Sequence, residues 1–367
     1  MSTKKDNQKK IDKVYMELAL NLARENVGLT GPNPSVGCVI VKNNEIISFG
    51  QTSFNGRPHA EHNAILSANK SKLKDSTMYV SLEPCTHFGK TDPCTDLIIK
   101  SKIKKLFYAH DDIDYRTSKR AEIKLIKGQV KVIKNFLSHK AKKIYKSYFY
   151  NKKNNLPYVI GKIACSKDLF STHQGKIITN EYSRSVTHLL RYKNQGILST
   201  SKSSNSDNSR LDCRLNGLNN KSPKIFIIDK NLNINHKSNI VKNAKKIKTF
   251  IFYNKEKKIK KKLLLKSGIK LVKIRISNDT YLNIFDILMF IKKKGINYLL
   301  VEGGHTLTKN LLNKKIFNEF FLFKSNIKLL KRGKNNISSI IASLNKSFKH
   351  KSKINTFLDK DILINYR

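Results

Sequence analysis

Three potential metal ligands, spread over 36 residues, constrain this chain more than anything else in it. Residues 59–61 read His-Ala-Glu, and two prolyl-cysteine pairs follow, Pro84-Cys85 and Pro93-Cys94. One imidazole and two thiols suit Zn2+, which is tetrahedral, so His59, Cys85 and Cys94 would leave one position for water. Bound zinc lowers the pKa of such a water to ~7. Glu61 stands two residues after His59, where a carboxylate can take the water's proton and pass it to a leaving amine. A free cysteine is usually a small buried hydrophobe, and His-Ala-Glu alone is a common tripeptide. What carries the reading is the combination, with both cysteines just after the apolar run Thr77–Leu82.

His-x-Glu followed by Pro-Cys and a second Cys is the pattern of zinc deaminases acting on nucleobase-like rings. Here eight residues separate the cysteines, where a plain nucleoside deaminase has two. The stretch Glu83-Pro-Cys-Thr-His-Phe-Gly-Lys-Thr-Asp-Pro-Cys94 resembles the deaminase half of the bifunctional deaminase/reductase family of riboflavin biosynthesis, as does Gly31-Pro-Asn-Pro-Ser-Val-Gly-Cys-Val-Ile-Val41. The resemblance is dense over residues 12–112 and continues in order, more thinly, to the C-terminus. It implies zinc on His59, Cys85 and Cys94, Glu61 as proton shuttle, and substrate contacts from Asn33 and Lys90. Where the family usually has a histidine two residues after a glycine, this chain has Thr52 after Gly50-Gln51. His62 and His87 are read as non-ligands, because three ligands and water already fill the site.

A chain of 367 residues suggests two domains, and its 39% apolar content suffices for two cores. The absence of an apolar run of about eighteen residues argues against a transmembrane helix. The N-terminus is basic and lacks the apolar core of a secretory signal, so a cytoplasmic location is expected. Five cysteines, at 38, 85, 94, 165 and 213, do not suggest a disulfide framework. The net charge of +47 invites an RNA-binding reading. However, the lysines are dispersed from Lys42 to Lys346, and there is no tryptophan or aromatic-basic interleaving of the kind that stacks bases. Compositional drift toward Lys, Asn and Ile explains the charge better than a specific nucleic-acid partner.

Along the chain, residues 12–27 repeat apolar side chains at helical spacing up to Gly28. Two prolines make Thr30–Pro34 a rigid loop that can present the Asn33 amide to a pyrimidine edge. Cys38–Val41 and Ile46–Phe49 read as strands around an Asn43-Asn44 turn. A helix should begin near His59 and another near Cys94, where a helix N-terminus favours the thiolate. Lys104–His110 is the next strand. Residues 134–156 read as a helix running into a polar linker at Asn151–Asn155. This order describes an α/β sandwich with a mixed sheet. Beyond it come strands at Tyr158–Ala164, Gly196–Leu198, Ile225–Ile228, Thr249–Tyr253, Ile269–Val272 and Tyr298–Val301. Helices are expected near 181–193, 282–293 and 306–313. No Gly-x-Gly-x-x-Gly supports a Rossmann reading. Val301-Glu-Gly-Gly-His-Thr-Leu307 is a strand ending in paired glycines, which let phosphate approach a helix N-terminus.

In the reductase half of the same family, which is dihydrofolate-reductase-like, this Glu-Gly-Gly segment is similar to the NADPH pyrophosphate site. The resemblance implies substrate contacts at Arg191, Leu211, Arg214 and Glu302. It implies cofactor contacts at Cys165, Ile177, Ser203, Asp207, Gly304, His305, Thr306, Leu307, Thr308, Lys309 and Asn310. The arginines suit a phosphate, which a guanidinium binds bidentately. The chain departs from family patterns at Ser166-Lys-Asp168-Leu-Phe170, at Gly175-Lys-Ile177-Ile-Thr179 and at Asp207-Asn208-Ser209.

The expected fold class is therefore α/β. A cytidine-deaminase-like three-layer sandwich (1–150, a zinc-dependent pyrimidine deaminase domain) precedes a dihydrofolate-reductase-like, NADPH-dependent reductase domain (156–367). The expected activity is zinc-dependent hydrolytic deamination of 2,5-diamino-6-(5-phosphoribosylamino)pyrimidin-4-one, followed by NADPH reduction of the ribosyl group to ribityl. The expected partners are this phosphorylated pyrimidine and further copies of the chain, as a homo-oligomer, with no membrane. Two rival expectations are a deaminase whose reductase half is degenerate and an RNA-binding or RNA-editing protein.

Overall fold

The computed structural model describes residues 2–89, 91–172, 177–218, 221–277 and 280–367. It divides into two units, Met1–Asn155 and Leu156–Arg367. Lys90 and Gly175 lie outside the described residues.

In the first unit, α1 (Ser2–Glu25) precedes the hairpin of β1 (Gly37–Lys42) and β2 (Glu45–Gln51). Asn43 and Asn44 both take positive φ, 51° and 64°. Asparagine tolerates this better than most residues, and a two-residue hairpin turn demands it. Then come α2 (Ala60–Ser67), α3 (Lys70–Leu73), β3 (Thr77–Val80), α4 (Cys94–Lys100), β4 (Lys105–Tyr108), α5 (Ala121–Lys127), β5 (Lys131–Ile133), α6 (Ser138–Ile144) and α7 (Lys146–Asn154). The five strands form one sheet in the order β2-β1-β3-β4-β5. β1 pairs antiparallel with β2 and β3, while β3, β4 and β5 run parallel, so the sheet is mixed.

Helices cover the sheet, which explains why β1 is apolar almost throughout rather than alternating. Gly50 lets α2 lie against β2, because a Cβ there would sit 2.4 Å from Ala60 O and 2.6 Å from Ala64 N. That close approach fixes the helix whose N-terminus carries His59.

Two expectations need correction. α1 starts ten residues before the expected 12, because its first turns are polar and show no apolar stripe. The helix read over 134–156 is two helices that meet at Tyr145, and the linker read at Asn151–Asn155 is mostly the last turn of α7.

The second unit opens with β6 (Tyr158–Cys165), β7 (Phe170–Thr172), α8 (Glu181–Tyr192), β8 (Gly196–Thr200), α9 (Ser201–Asp207), β9 (Lys224–Ile228), α10 (Asn239–Lys242) and β10 (Thr249–Tyr253). It continues with α11 (Lys258–Lys266), β11 (Lys270–Lys273), α12 (Ile284–Lys293), β12 (Tyr298–Val301) and α13 (His305–Asn313). The last elements are β13 (Glu319–Lys324), β14 (Lys334–Asn336), α14 (Ser338–Ser347), β15 (Lys351–Lys353) and β16 (Ile362–Tyr366).

Nine strands form one sheet in the order β11-β10-β9-β8-β12-β6-β13-β16-β15, and β7 and β14 pair separately. From β11 to β13 the neighbours are parallel, and β16 and β15 close that edge antiparallel. Phe226 stacks on Phe250 at 5.2 Å between ring centroids, inside a core that also holds Phe252 and Phe320. In open α/β sheets ligands bind beyond the carboxyl ends of parallel strands. Here Thr200, Ile228 and Glu302 stand at or just past the ends of β8, β9 and β12.

Candidate active sites

In the first unit the three metal-ligand candidates converge. His59 is the N-cap residue of α2, and Cys94 is the first residue of α4, after Pro93. Cys85 lies in the loop that follows β3. His59 Nδ1 is 3.6 Å from Cys85 Sγ and 3.4 Å from Cys94 Sγ. All three ligand atoms lie within 4.8 Å of one another. A tetrahedral zinc with Zn–N near 2.05 Å and Zn–S near 2.3 Å separates nitrogen from sulfur by about 3.5 Å, so these residues fit the ion.

The Cys94 backbone N–H donates to Cys85 Sγ at 3.3 Å, and the Cys94 thiol lies beside it. Together with His59 they outweigh burial and hold the Cys85 thiol down to about 4, while Cys94 is pushed up. Cys85 is therefore poised as the thiolate that a metal takes.

Glu61 is 3% exposed, in the first turn of α2. Burial raises its pKa to about 7 against the pull of His59. A carboxyl near neutrality can both accept and return a proton. Asn33 Nδ2 donates to Gly56 O at 2.9 Å and lies 3.5 Å from His59 Nε2, so the amide stands at the edge of the ligand ring. Thr52 is buried, with its hydroxyl accepting from Val36 N at 2.9 Å. His87 turns to Thr117 Oγ1 at 3.1 Å. Among the described residues, neither His62 nor His87 joins the metal-ligand group.

Sequence reading missed Glu83. Its buried carboxylate accepts backbone N–H groups from Asp112, Lys119 and Ala121 at 3.0–3.1 Å, tying the 111–121 loop to the segment that carries Cys85. Asp112, in turn, accepts from Tyr148 OH on α7.

In the second unit a cleft of about 600 Å3 opens at the carboxyl ends of the strands. This size suits a cofactor or small substrate. Of the expected residues, Arg191, Leu211, Glu302, Ser203, Asp207, Gly304, His305, Thr306, Leu307 and Asn310 line it. Ser203 Oγ lies 3.1 Å from Thr200 Oγ1 and accepts Gly304 N at 3.2 Å, so it joins the N-terminus of α9 to that of α13. Leu211 has φ 54°, a left-handed conformation that costs a leucine energy and recurs at ligand clamps.

Other expected residues lie outside the lining. Arg214 pairs with Asp212 at 2.6 Å, and Cys165 is buried at the end of β6. Ile177 is 65% exposed and lines a separate depression with Leu329 and Leu330. The Thr308 side chain is buried, 3.4 Å from Gly303 O, and Lys309 does not face the cleft. Asp168, in one departing segment, caps Leu329 N and Leu330 N.

Arg191, which lines the cleft, is also paired within the protein. Its Nε and Nη2 donate to Glu302 at 2.7 and 2.9 Å and its Nη1 to Asp212 O at 3.1 Å, so the side-on fork serves a carboxylate of the protein itself. Burial alone would raise the Glu302 carboxyl. Arg191, Lys162 and His188 reverse this and hold it down to about 2. Lys162, on β6, also lines the cleft, and burial lowers its pKa. A lone lysine inside the apolar strand Tyr158–Cys165 was the signal that sequence reading passed over.

Residues 9–110 match the cytidine and deoxycytidylate deaminase zinc-binding region, and residues 157–327 match the RibD C-terminal domain. The riboflavin biosynthesis protein RibD of Aquifex aeolicus is 32% identical over 98% of this chain and 99% of its own length. That of Actinobacillus pleuropneumoniae is 31% identical over 96% and 94%. Among solved structures, a diaminohydroxyphosphoribosylaminopyrimidine deaminase/5-amino-6-(5-phosphoribosylamino)uracil reductase from Thermotoga maritima aligns with a TM-score of 0.81 at 27% identity, covering 98% of this chain and 99% of that one. Acinetobacter baumannii RibD has the same fold, with a TM-score of 0.81 at 24% identity and the same coverage.

Proposed function

We propose a residue-level mechanism from one premise: the chain belongs to the RibD family of riboflavin biosynthesis proteins. It is a bifunctional enzyme, with a zinc-binding deaminase unit and a reductase unit of the NADPH-utilising type. Of the two expectations for the C-terminal half, working reductase or degenerate scaffold, the first is the one the family supports.

In our reading the first unit deaminates 2,5-diamino-6-(5-phosphoribosylamino)pyrimidin-4-one. His59, Cys85 and Cys94 hold zinc, which when bound supplies the Lewis acidity that generates a nucleophile from water near neutral pH. Glu61 takes the proton released from that water and delivers it to the departing amino nitrogen, so that ammonia leaves. Asn33 orients the pyrimidine edge, and Lys90 is a further substrate contact carried by the family resemblance. The observation that supports this most is the separation of His59 Nδ1 from the two thiols, 3.4 and 3.6 Å, with Glu61 buried beside them.

The second unit then converts the ribosyl group to ribityl, with NADPH supplying hydride. Ser203, Asp207, Gly304, His305, Thr306, Leu307 and Asn310 face the cofactor, in part through the N-terminus of α13. Leu211 and the Glu302–Arg191 pair hold the substrate, and Lys162 is the proton-carrying group on the cleft floor. Cys165, Ile177, Arg214, Thr308 and Lys309 belong to the same family pattern, although they stand back from the lining. We further read the enzyme as a cytoplasmic homo-oligomer, which sedimentation in solution tests. No helix among the described residues is long and apolar enough to cross a membrane.

The test is an assay of both partial reactions on the zinc-loaded full chain. Glu61→Gln should keep its zinc and lose ammonia release while still oxidising NADPH with the deaminated substrate. Undiminished ammonia release from Glu61→Gln would remove the mechanism.

A further inference from the structure

Arg57 lies two residues before His59, which keeps their Cα atoms within about 7 Å. It follows the short helical turn Phe54–Gly56. That turn is fixed against the loop carrying Asn33, because Asn33 Nδ2 donates to Gly56 O and Asn55 N to Leu29 O. From this anchored backbone the guanidinium reaches the loop between the two cysteines. Nη1 donates to Thr91 Oγ1, and a Cβ added at Gly89 would lie 3.2 Å from Nη2.

A guanidinium has five N–H donors, and among the described residues one of them is committed to a side-chain acceptor. Among the described residues no carboxylate pairs with it, as with Arg24, Arg120, Arg184 and Arg332, whereas Arg116, Arg191, Arg214 and Arg275 each hold an aspartate or glutamate. Its charge is nonetheless close enough to act on the His59 ring. Thr52 offers nothing to an anion here, since its side chain is buried and bonded to Val36.

We propose that Arg57 is a specificity-determining residue of the deaminase site, binding the phosphate of the phosphoribosylated substrate through the donors it leaves free. The proposal rests on the deaminase reading given above. A planar guanidinium matches two phosphate oxygens, and a partner supplied by the substrate accounts for an arginine that has no acid of its own. The competing role is a clip that only holds the 86–93 loop through Thr91.

The experiment uses the zinc-loaded full chain with Arg57→Ala and Arg57→Lys. Ammonia release is measured with the phosphorylated substrate and with its dephosphorylated ribosyl counterpart. Loss of a charge-assisted phosphate contact should raise KM for the phosphorylated substrate about ten- to a hundredfold. The dephosphorylated substrate, kcat and zinc content should change little, and Arg57→Lys should recover part of the loss. An equal loss on both substrates, or an unchanged KM, would overturn the proposal. Calorimetric titration with ribose 5-phosphate decides the matter without turnover. Arg57→Ala should lose one binding event that the parent chain shows, and identical isotherms would overturn the proposal. Failure of the parent chain to release ammonia would count against the deaminase reading alone.

Discussion

The Arg191 guanidinium lies side-on against the Glu302 carboxylate, with contacts of 2.7 and 2.9 Å, although 111 residues separate the two. Both side chains are almost fully covered, at 11% and 12% exposure. Removing one partner of such a pair strands the other charge and typically costs about 3–5 kcal/mol, whereas replacing both with apolar groups costs far less. Arg191→Leu should therefore destabilise the second unit by about that amount, and Arg191→Leu/Glu302→Leu should be the more stable of the two variants. Urea unfolding followed by a probe within the second unit measures both.

The same pair sets an acid dependence. The Glu302 carboxyl is held down to about 2 in the folded chain, from an ordinary value near 4.5. The unfolded chain then binds more protons between those values, so stability rises with pH across this window. The contribution is fully present above about pH 4.5 and is lost as pH falls toward 2, an amount on the order of 3 kcal/mol. Glu302→Gln has no such group to titrate, so its stability should fall less steeply than the parent's between pH 4.5 and 2. Parallel slopes in denaturation series across this range would contradict the assignment.

A change at Lys162 should separate the two activities. Lys162 faces the cleft of the second unit beside Glu302. Lys162→Met keeps the length and apolar stem but removes the nitrogen that we propose carries the proton. Loss of a proton-transfer group typically costs about 10^2–10^4-fold. NADPH oxidation should fall by at least the lower figure, while ammonia release from the same preparation stays at the parent rate.

The metal centre was legible in the sequence because zinc restricts its ligands to few residue types. His59, Cys85 and Cys94 therefore stand out whatever surrounds them. The Asn43-Asn44 turn was legible because few residues tolerate two successive positive φ angles. Features set by distant partners were not legible. Nothing near Arg191 announces Glu302, and nothing near Glu83 announces the three backbone N–H groups it receives from residues 112–121. α1 began earlier than expected because a polar helix shows no apolar period. The edge strand β15, Lys-Ser-Lys, is exposed at every position and is held in the sheet by backbone pairing with β16, which side-chain pattern does not reveal.

Glu83 yields the next prediction. Oε2 accepts Asp112 N and Lys119 N, and Oε1 accepts Ala121 N. Glu83→Ala leaves these donors without their acceptor, two of them in buried surroundings. Hydrogen bonds to charged groups contribute about 1.5–3 kcal/mol each, and a stranded buried donor costs about 1–3 kcal/mol. The first unit should lose about 3 kcal/mol or more. Because the 111–121 loop also meets Thr86 and His87, beside Cys85, zinc should leave the variant faster under a chelator. Chelator-driven zinc release that matches the parent chain would show that the loop does not steady the metal site.

Gly56 isolates the contribution of the loop beneath Asn33. Its φ of 95° is unfavourable for any residue with a side chain. A Cβ there would also sit 2.6 Å from Thr30 O and 2.9 Å from Asn33 Cβ and Nδ2. Gly56→Ala therefore combines a backbone penalty of about 1–2 kcal/mol with an overpacking penalty of about 1–3 kcal/mol. Gly295→Ala supplies the control, since Gly295 has φ 80° and nothing within 4 Å of its added Cβ, so only the backbone penalty applies. The first substitution should destabilise its unit more than the second does its own. It should also push Asn33 away from the His59 ring, raising KM for deamination while leaving zinc content and NADPH oxidation unchanged. Equal destabilisation by the two substitutions, measured by thermal unfolding, would mean that the loop yields without displacing Asn33.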